Sequence, residues 1–453
     1  MKKYNKFYFK SFEFNKTNLI AKFHYSFDDD IFFEEIINFK SDDFNIRNII
    51  DVKIIENILF HLHIALWISY YKAYPANELI LESWFLDEYQ LWFWKKFYIN
   101  WLGEFLYTNN IKSDWLFNFV NSSDIKFNKI DFQTSNKALV PVWWWKDSIV
   151  SIEMLKKVNI NFDCFTFWPK DNVLYENTSN IAWKKRLWVK RKISNQLIDL
   201  VSDWYFNGHV PITWLIAFIM EAVAYIYDYK YLVLSNEKSA NFWNTLWNWI
   251  SINHQYSKSL EFETDFKDYV EKYISKDVKY FSLLRWMYEI KIAEYFAKNA
   301  KKYFSHFSSC NNNFKIFNKS EKLGEWKKWC NNCPKCAFVF SIVRPYLNTN
   351  EVIEIFWEDL YENKKLEKLF RELLWISWIK PFECVWEADE VILSMYKTLN
   401  KYSDNLPFIL KIFKEEVLIN ITDIELQNIE KKLGNRSDED IIPSELKKII
   451  FNK

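Results

Sequence analysis

The sequence predicts an α/β protein: a domain built on a parallel β-sheet, with an α+β unit before it and a helical region after it. Over residues 135–347, apolar runs of strand length alternate with helical patterns, as in parallel sheets whose connections are helices. From residue 348 onward, amphipathic helical spacing rich in Lys and Glu replaces this alternation. We therefore divide the chain into units of residues 1–122, 135–347 and 348–453, with a polar linker at 121–134.

The first unit opens with two stretches in which aromatic and charged residues alternate, Lys3–Phe14 and Leu19–Phe27. Such alternation predicts two antiparallel strands. Helical spacing follows in Ile49–Ala73 and Asp87–Leu106, with a short strand pattern at Glu78–Glu82 between them. These residue types indicate a structural or substrate-covering unit.

In the second unit, polar clusters follow three of the predicted strands. Strands are predicted at Ala138–Val142, Phe162–Phe167, Tyr231–Ser235 and Ile250–His254, and helices at Ser148–Lys157, Ile193–Leu200, Ile212–Tyr227 and Leu283–Lys298. The polar clusters are residues 146–148, 235–241 and 254–258. Ligands of such sheets bind beyond the carboxyl ends of the strands, so we expect the clusters to form one site.

The stretch Lys137–Val150 reads KALVPVWWWKDSIV, an apolar strand, a tight turn and the start of a helix. This is the setting of a phosphate-binding loop, in which backbone N–H groups at a helix N-terminus hold an anion. Such a loop needs glycine, because the backbone must take unusual dihedrals and let phosphate oxygens approach closely. Three indole rings at Trp143–Trp145 do not fit that requirement.

The whole chain shows the same oddity, with 4 Gly and 24 Trp in 453 residues. Glycine usually supplies about 7% of a protein, here roughly 32 residues, which is close to the two counts combined. Our hypothesis is that most tryptophans stand for glycine, through a UGA codon that the source organism reads as Gly. Several lie where a turn or a helix end favours glycine: Trp101, Trp243, Trp375 and Trp378.

The charge balance gives no electrostatic footprint for a polyanion, since the formal net charge is +1. We therefore predict no nucleic-acid partner. The N-terminus lacks the apolar core of a signal peptide. The longest apolar run, Ile212–Tyr227, is interrupted by Glu221 and is short for a membrane span. We expect a cytoplasmic protein without a membrane partner, and the sequence leaves the oligomeric state open.

Four cysteines form a second signal. Cys330, Cys333 and Cys336 follow the pattern C-x2-C-x2-C, and Cys310 lies some twenty residues upstream. This spacing favours a tetrahedral zinc site, with an iron–sulfur cluster or metal-free thiols as alternatives. The remaining two cysteines, Cys164 and Cys384, are expected to be bystanders.

Several stretches together resemble one family: PVWWWKDS read with glycines as PVGGGKDS, then LSNEKSAN, INHQYSKSLEFE, SSCN and WCNNCPKCAFVF. The loop is similar to the SGGxDS loop of ATP pyrophosphatases. The full set resembles the ATP-dependent UDP-N-acetylmuramoyl-L-alanyl-L-glutamate epimerases, PP-loop proteins of peptidoglycan precursor synthesis. The resemblance runs from about Leu62 to Val385, and the tryptophans are its departures.

The resemblance implies a PP-loop fold, similar to the adenine nucleotide alpha-hydrolases, and an inversion of the terminal L-Glu of UDP-MurNAc-L-Ala-L-Glu to D-Glu. The α-proton beside a carboxylate anion is too weakly acidic to remove. Transfer of AMP from ATP to that carboxylate makes an electron-withdrawing mixed anhydride. A base can then take the proton, and reprotonation from the other face gives D-Glu, with AMP and pyrophosphate as by-products.

The resemblance also assigns roles to residues. ATP is expected at Trp143, Trp144, Trp145, Lys146, Asp147, Ser148, Asn236 and Glu237, and Asp147 is expected to place Mg²⁺. The residues that move the proton stay open between His209, His254 and Lys258, which lie on ligand-facing segments. Glu261 and Glu263 share a segment with His254 and Lys258 and are candidates to orient them. Arg285 and Glu289 are interpreted as a surface ion pair one helical turn apart.

Two alternatives remain from the sequence. A PP-loop enzyme of tRNA modification or deazaguanine synthesis would share the ATP loop and the cysteines, but the near-neutral charge and the large N-terminal unit argue against it. If the tryptophans are genuine, the protein is a non-catalytic, zinc-stapled interaction protein.

Overall fold

A computed structural model describes residues 3–113, 116–143, 145–167, 173–202, 205–206, 212–247, 250–314, 328–374 and 388–451. Ten of its strands form one sheet and two form a separate hairpin. The strands are β1 (Lys6–Asn15), β2 (Ile20–Phe27), β3 (Ile31–Asn38), β4 (Glu78–Leu81), β5 (Asn118–Asn121), β6 (Ala138–Pro141), β7 (Phe162–Phe167), β8 (Arg186–Lys192), β9 (Tyr231–Leu234), β10 (Thr245–Trp247), β11 (Ile250–Ile252) and β12 (Lys279–Ser282).

Helices cover both the connections between strands and most of the C-terminal region. They are α1 (Val52–Leu66), α2 (Ile68–Tyr71), α3 (Glu88–Trp101), α4 (Gly103–Thr108), α5 (Lys146–Lys157), α6 (Val173–Ala182), α7 (Asn195–Ser202), α8 (Ile212–Tyr227), α9 (Leu260–Tyr273), α10 (Glu289–Asn299), α11 (Pro334–Val343), α12 (Thr349–Phe356), α13 (Glu367–Leu373), α14 (Ala388–Leu399), α15 (Phe408–Ile412), α16 (Asp423–Gly434) and α17 (Ser444–Phe451).

The large sheet has the strand order β12-β9-β6-β7-β8-β3-β2-β1-β4-β5. Strands β12, β9, β6, β7 and β8 are mutually parallel, and β1, β4 and β5 are parallel at the other end. The chain runs from β6 through β7 to β8 on one side and then returns to β9 on the other. The strand order therefore reverses between β6 and β9, which is where open α/β sheets bind ligands.

The N-terminal strands confirm the first unit's predicted hairpin, since β1 and β2 pair antiparallel from Phe7 with Phe27 to Asn15 with Ile20. The sequence analysis missed β3, which pairs with β2 and also with β8. Through β3 and β8 the sheet runs without a break from the first predicted unit into the second. The boundaries at 122, 135 and 347 stay predictions.

The parallel part of the sheet corrects one predicted strand. Residues Ile250–Ile252 pair antiparallel with Thr245–Trp247 in a separate two-stranded hairpin and do not enter the large sheet. The parallel part of the large sheet instead contains β8 and β12. The sequence analysis missed these strands because β8 is rich in charge and β12 has only four residues. The mixed α/β class, with a mostly parallel sheet and a helical C-terminal region, is confirmed.

Helix α8 is buried along nearly its whole length, from Trp214 to Tyr227, and packs against α1. The helical stretch Val52–Tyr71 is long and apolar enough to cross a membrane by length and composition alone, but 78% of its most apolar window is buried inside the protein. Its two histidines, His61 and His63, are also buried, and burial lowers the pKa of each to about 3. These are the surroundings of a core helix.

Candidate active site

The loop between β6 and α5 has the predicted order of strand, turn and helix. Trp145 caps α5 with extended backbone and no side-chain hydrogen bond to the first turn. The Ser148 hydroxyl donates to the carbonyl oxygens of Trp143 and Trp145, the latter at 3.0 Å, and so holds the turn. Trp144 lies outside the described residues. The N–H groups of the first turn of α5 thus lack a side-chain cap, as anion-binding helix ends do.

As the sequence stands, indole rings occupy this turn. The Trp143 ring centroid lies 6.2 Å from that of Trp145 and 5.8 Å from that of Tyr175. A phosphate group would need this space, because it binds against bare backbone N–H groups. The conflict that the sequence predicted is therefore present in three dimensions.

Lys146, the residue after the tryptophans, is 1% exposed and forms ion pairs with Asp147 and Glu289. This corrects the interpretation of Glu289 as one half of a surface ion pair with Arg285. Glu289 is fully buried at the start of α10, where its carboxylate contacts Lys146. Burial favours the pairing of Glu289 with Lys146, because an unpaired charge in the protein interior is costly.

Arg285 is also buried, at 1% exposure, and its guanidinium holds three segments together. It donates to Glu263 Oε2 at 2.9 Å, to the Glu237 carbonyl oxygen at 2.6 Å and to the Lys258 carbonyl oxygen at 2.5 Å. Glu263 therefore pairs with Arg285 and does not orient His254 or Lys258. Arg285 instead fixes the backbone of the two loops that carry the predicted ligand residues.

The carboxylates of Asp147, Glu237 and Glu289 come together, with one oxygen of each within 4.8 Å of the others. Burial, reinforced by the charge of Glu289, raises the pKa of Glu237 to about 8. Burial and the charge of Asp147 likewise raise the pKa of Glu289. For Asp147, burial acts in the same direction, but the charges of Lys146 and Lys335 outweigh it and lower the pKa.

Lys146 responds in the opposite sense. Burial alone would lower the pKa of its ammonium group, but the charges of Asp147 and Glu289 raise it above the ordinary value. Lys146 therefore stays charged, and it supplies the cation that lets these carboxylates be buried together.

The predicted loop after β9 lies beside the turn, and Ser235 Oγ is 2.7 Å from Ser151 Oγ of α5. Asn236 and Glu237 are buried, at 6% and 2% exposure. Asn236 Nδ2 and Glu237 Oε1 have no hydrogen-bond partner among the described residues. Buried polar atoms of this kind are usually satisfied by a ligand, an ion or a water molecule.

The proton-transfer candidates are placed differently. Lys258 Nζ lies 4.7 Å from the ring centroid of Trp145 and is thus beside the loop. His254 lies one short turn earlier and forms an ion-paired hydrogen bond with Glu104 of α4. His209 lies outside the described residues. Glu261 pairs with Lys96 at 2.9 Å and not with His254.

The four predicted cysteines come together at the start of α11. The sulfurs of Cys310, Cys330, Cys333 and Cys336 lie within 4.8 Å of one another. Cys330 Sγ is 3.7 Å and Cys333 Sγ is 3.4 Å from Cys336 Sγ. Tetrahedral Zn–S bonds of about 2.3 Å place sulfurs about 3.8 Å apart, so one zinc ion fits this set. An iron–sulfur cluster fits poorly, because each thiolate would bind a separate iron.

The sequence analysis misassigned Glu289 in this region and missed Lys335. Glu289 sits where a polar residue follows β12, and recognition of that short strand would have found it. Lys335, between two of the cysteines, is 4% exposed, and its charge acts on both Asp147 and Glu289. Its position beside the cysteine pattern was visible, but its direction toward the loop was not.

Comparisons with known proteins identify the family. A family model described as the MurL N-terminal domain matches residues 1–283, and one described as the MurL C-terminal domain matches residues 306–420. The chain is 31% identical over 338 residues to the UDP-N-acetyl-alpha-D-muramoyl-L-alanyl-L-glutamate epimerase of Xanthomonas oryzae pv. oryzae, covering 74% of this chain and 73% of that protein.

Proteins of the same name from Micromonospora sp. and Salinispora tropica are 32% and 30% identical, over 76% of this chain in each case. The matches cover 75% and 73% of those two proteins. With both family models matched along most of its length, the chain belongs to the MurL epimerase family.

Proposed function

We propose that this protein inverts the α-carbon of the terminal L-glutamate of UDP-N-acetylmuramoyl-L-alanyl-L-glutamate and so makes the D-glutamate form used in peptidoglycan precursors. The observation that carries the proposal is that three relatives with this one activity in their names align over about three quarters of the chain. This favours the epimerase over the RNA-modifying and non-catalytic alternatives. The cytoplasm remains our predicted location.

The finer part of the proposal is that ATP activates the glutamate carboxylate, with release of AMP and pyrophosphate. The support is the PP-loop-like placement of the turn before α5 at the point where the strand order reverses. The first turn of α5, Lys146 and Lys258 supply N–H groups and positive charge for phosphates. Asn236 Nδ2 and Glu237 Oε1, on the loop that follows β9, are buried and have no hydrogen-bond partner within the described part of the chain.

Mg²⁺ is proposed as the ion that accompanies ATP. Mg²⁺ prefers oxygen ligands in octahedral geometry at about 2.1 Å, which spaces its oxygens by about 3.0 to 4.2 Å. Asp147, Glu237 and Glu289 offer three carboxylate oxygens within 4.8 Å, so the residues present fit the ion. Bound Mg²⁺ would neutralise phosphate charge and leave Lys146 to bind an additional phosphate oxygen.

Zinc is proposed for the cysteine cluster as a structural ion. Four thiolates close the coordination shell and leave no position for substrate. The cluster begins α11, where Cys333 caps the helix and accepts from the Cys336 N–H at 3.4 Å. We infer that zinc holds this helix start and, with it, the direction of Lys335.

We also infer that most of the tryptophans are glycines in the native protein. Trp183 and Trp357 each follow a helix in the left-handed region, with φ of 58° and 66°, where glycine is the usual residue. Buried indole N–H groups normally find an acceptor. Several here have none among the described residues: Trp84, Trp101, Trp214 and Trp286. Glycine would remove each of these conflicts and would open the turn at positions 143–145.

Two measurements test these proposals. The mass of the tryptic peptide Ala138–Lys146 from the source organism should correspond to three glycines at positions 143–145, and three tryptophans there would refute the codon proposal. Protein with that native sequence should convert the L-Glu substrate to D-Glu with equal amounts of AMP and pyrophosphate. Absence of inversion would refute the epimerase, whereas inversion without ATP would refute only the activation step.

A further inference from the structure

Glu104 and His254 form an ion-paired hydrogen bond where the N-terminal helices meet the loops of the parallel sheet. His254 Nδ1 contacts Glu104 Oε2. The two side chains are only 8% and 20% exposed. An ionised carboxylate can only accept, so Nδ1 carries the proton of this bond; the pair is ionic when the imidazole is protonated, and in the neutral ring the basic lone pair is on Nε2. The pairing therefore selects one tautomer of His254.

Both members of the pair are fixed by their backbones. A Cβ atom on Gly103 would lie 3.2 Å from Ile252 Cδ1, so glycine lets α4 pack closely against β11 and brings Glu104 to His254. The His254 N–H donates to Asn244 Oδ1 at 3.0 Å. The preceding residue, Asn253, donates from Nδ2 to the Ala240 carbonyl oxygen at 3.1 Å. These contacts hold the histidine against the loop that follows β9.

His254 is linked to the loop before α5 through Lys258, which lies beside that loop. Lys258 is four residues beyond His254, so their Cα atoms are at most about 14 Å apart. Lys258 Nζ lies 4.7 Å from the Trp145 ring, and its charge contributes to the lowered pKa of Asp147. A substrate carboxylate activated at the loop would thus have its α-carbon within reach of the same short segment.

We propose that His254 removes the α-proton of the activated glutamate and that Glu104 is its positioning residue. The proposal rests on the proposed epimerase function and names who moves the proton. The Cα–H bond breaks, its electron pair enters the enolate of the activated carboxyl group, and the proton goes to His254 Nε2. Glu104 holds the reactive tautomer and stabilises the imidazolium that forms. The N-terminal unit therefore supplies a positioning residue, Glu104, in addition to any structural or substrate-covering role.

The test separates activation from proton removal in protein of native sequence. Exchange of labelled pyrophosphate into ATP reports activation, and deuterium uptake at the glutamate α-carbon in D₂O reports proton removal. The variants are His254→Gln, Glu104→Ala and Glu104→Asp. The matched control is Lys96→Met, which removes two other ion pairs between the N-terminal helices and α9, those of Lys96 with Glu261 at 2.9 Å and with Asp265 at 2.6 Å.

We expect His254→Gln to slow deuterium uptake by about 10²-fold or more while pyrophosphate exchange continues. Glu104→Ala should lower kcat for uptake by at least about tenfold, with KM nearly unchanged, and Glu104→Asp should restore part of it. Lys96→Met should alter neither reaction. Retained pyrophosphate exchange in each variant shows that the ATP site is still folded.

Three results would overturn the proposal. Wild-type deuterium uptake in His254→Gln would exclude His254 as the base. A parallel loss of both reactions in the His254 and Glu104 variants, or an equal loss in Lys96→Met, would make the pair a docking contact. If the unaltered protein shows neither reaction, the proposed epimerase function is wrong. If the unaltered protein shows both reactions and the variants do too, only the proposal for this pair is wrong.

Discussion

The cysteine cluster and the carboxylate cluster both bring potential metal ligands within 4.8 Å of one another, but they are built in different ways. Three of the four cysteines lie within seven residues, so their spacing in the sequence predicts the cluster. The carboxylates of Asp147, Glu237 and Glu289 come from three separate segments that follow β6, β9 and β12, two of them at the starts of α5 and α10. Candidate ligands that lie in one segment can be recognised from their spacing in the sequence. Candidate ligands that a sheet brings together from distant segments cannot.

The two clusters also differ in how their charge is balanced. The carboxylates already have Lys146 as a buried cation, so they can be folded without a metal ion. Four thiolates held together repel one another and need the ion to be stable as thiolates. Loss of metal should therefore affect the cysteine cluster more than the carboxylate cluster.

The largest effect is expected from Cys336→Ser. Removing one of four thiolates should abolish stoichiometric zinc and lower the free energy of unfolding by more than about 5 kcal/mol, since loss of a structural metal is among the most severe single changes. Metal analysis and urea unfolding measure both. Cys164→Ser is the control, because Cys164 is equally buried but lies in β7 away from the cluster. Full zinc content in Cys336→Ser would contradict the assignment.

A second prediction uses Glu221, a buried carboxyl of α8 that forms no ion pair within the described residues. Neither of its carboxyl oxygens has a hydrogen-bond partner among the described residues, and burial raises its pKa from 4.5 to about 8. Between these pH values the unfolded chain releases a proton that the folded protein retains, so stability falls as pH rises. We expect a loss of about 3 kcal/mol from pH 5 to pH 8.

Glu221→Gln should remove that part of the pH dependence, and adding Mg²⁺ should not. Urea unfolding at several pH values measures it. A pH profile identical in the unaltered protein and in Glu221→Gln would show that Glu221 is not buried as a lone carboxyl. The contrast with Glu237, which has the same raised pKa but lies beside Asp147 and Glu289, separates burial from ion binding.

Glu289→Gln tests the carboxylate cluster directly. Breaking a buried ion pair usually costs about 3–5 kcal/mol, but Asp147 still neutralises Lys146, so we expect about 2 kcal/mol. The affinity for Mn²⁺, measured by its electron paramagnetic resonance signal without ATP, should also fall. Glu294→Gln is the control on the same helix, because its pairs with Lys291 and Lys298 are partly exposed to solvent and should contribute less than about 1 kcal/mol. Unchanged Mn²⁺ binding would remove Glu289 from the ion site.

The smallest effect concerns a single backbone position. Trp357 has φ of 66°, so Trp357→Gly should stabilise the protein by about 1 kcal/mol by relieving left-handed strain. Trp92 is similarly exposed but lies inside α3, so Trp92→Gly should destabilise by about 1 kcal/mol. Thermal unfolding compares the two. Equal signs for both changes would argue against the left-handed position as a glycine site.

Much of the fold was predictable because its signals are local. The strand, turn and helix around Trp143–Trp145, the hairpin of β1 and β2, and helix α8 all follow from periodicity within one segment. The misses have a common cause. Strand β12 has four residues, and the predicted strand at Ile250–His254 looked the same in sequence as one in the large sheet. Periodicity cannot say which neighbour a short strand will pair with.

The motifs of the family resemblance, the four clustered cysteines and the mixed α/β class could all be predicted from the sequence alone. The partners of the charged side chains became known only from the three-dimensional structure: Lys146 pairs with Glu289, Arg285 with Glu263, and His254 with Glu104. The physical reason is that a buried charge takes the nearest opposite charge in space. The sheet, by aligning the carboxyl ends of distant strands, sets which residues those are.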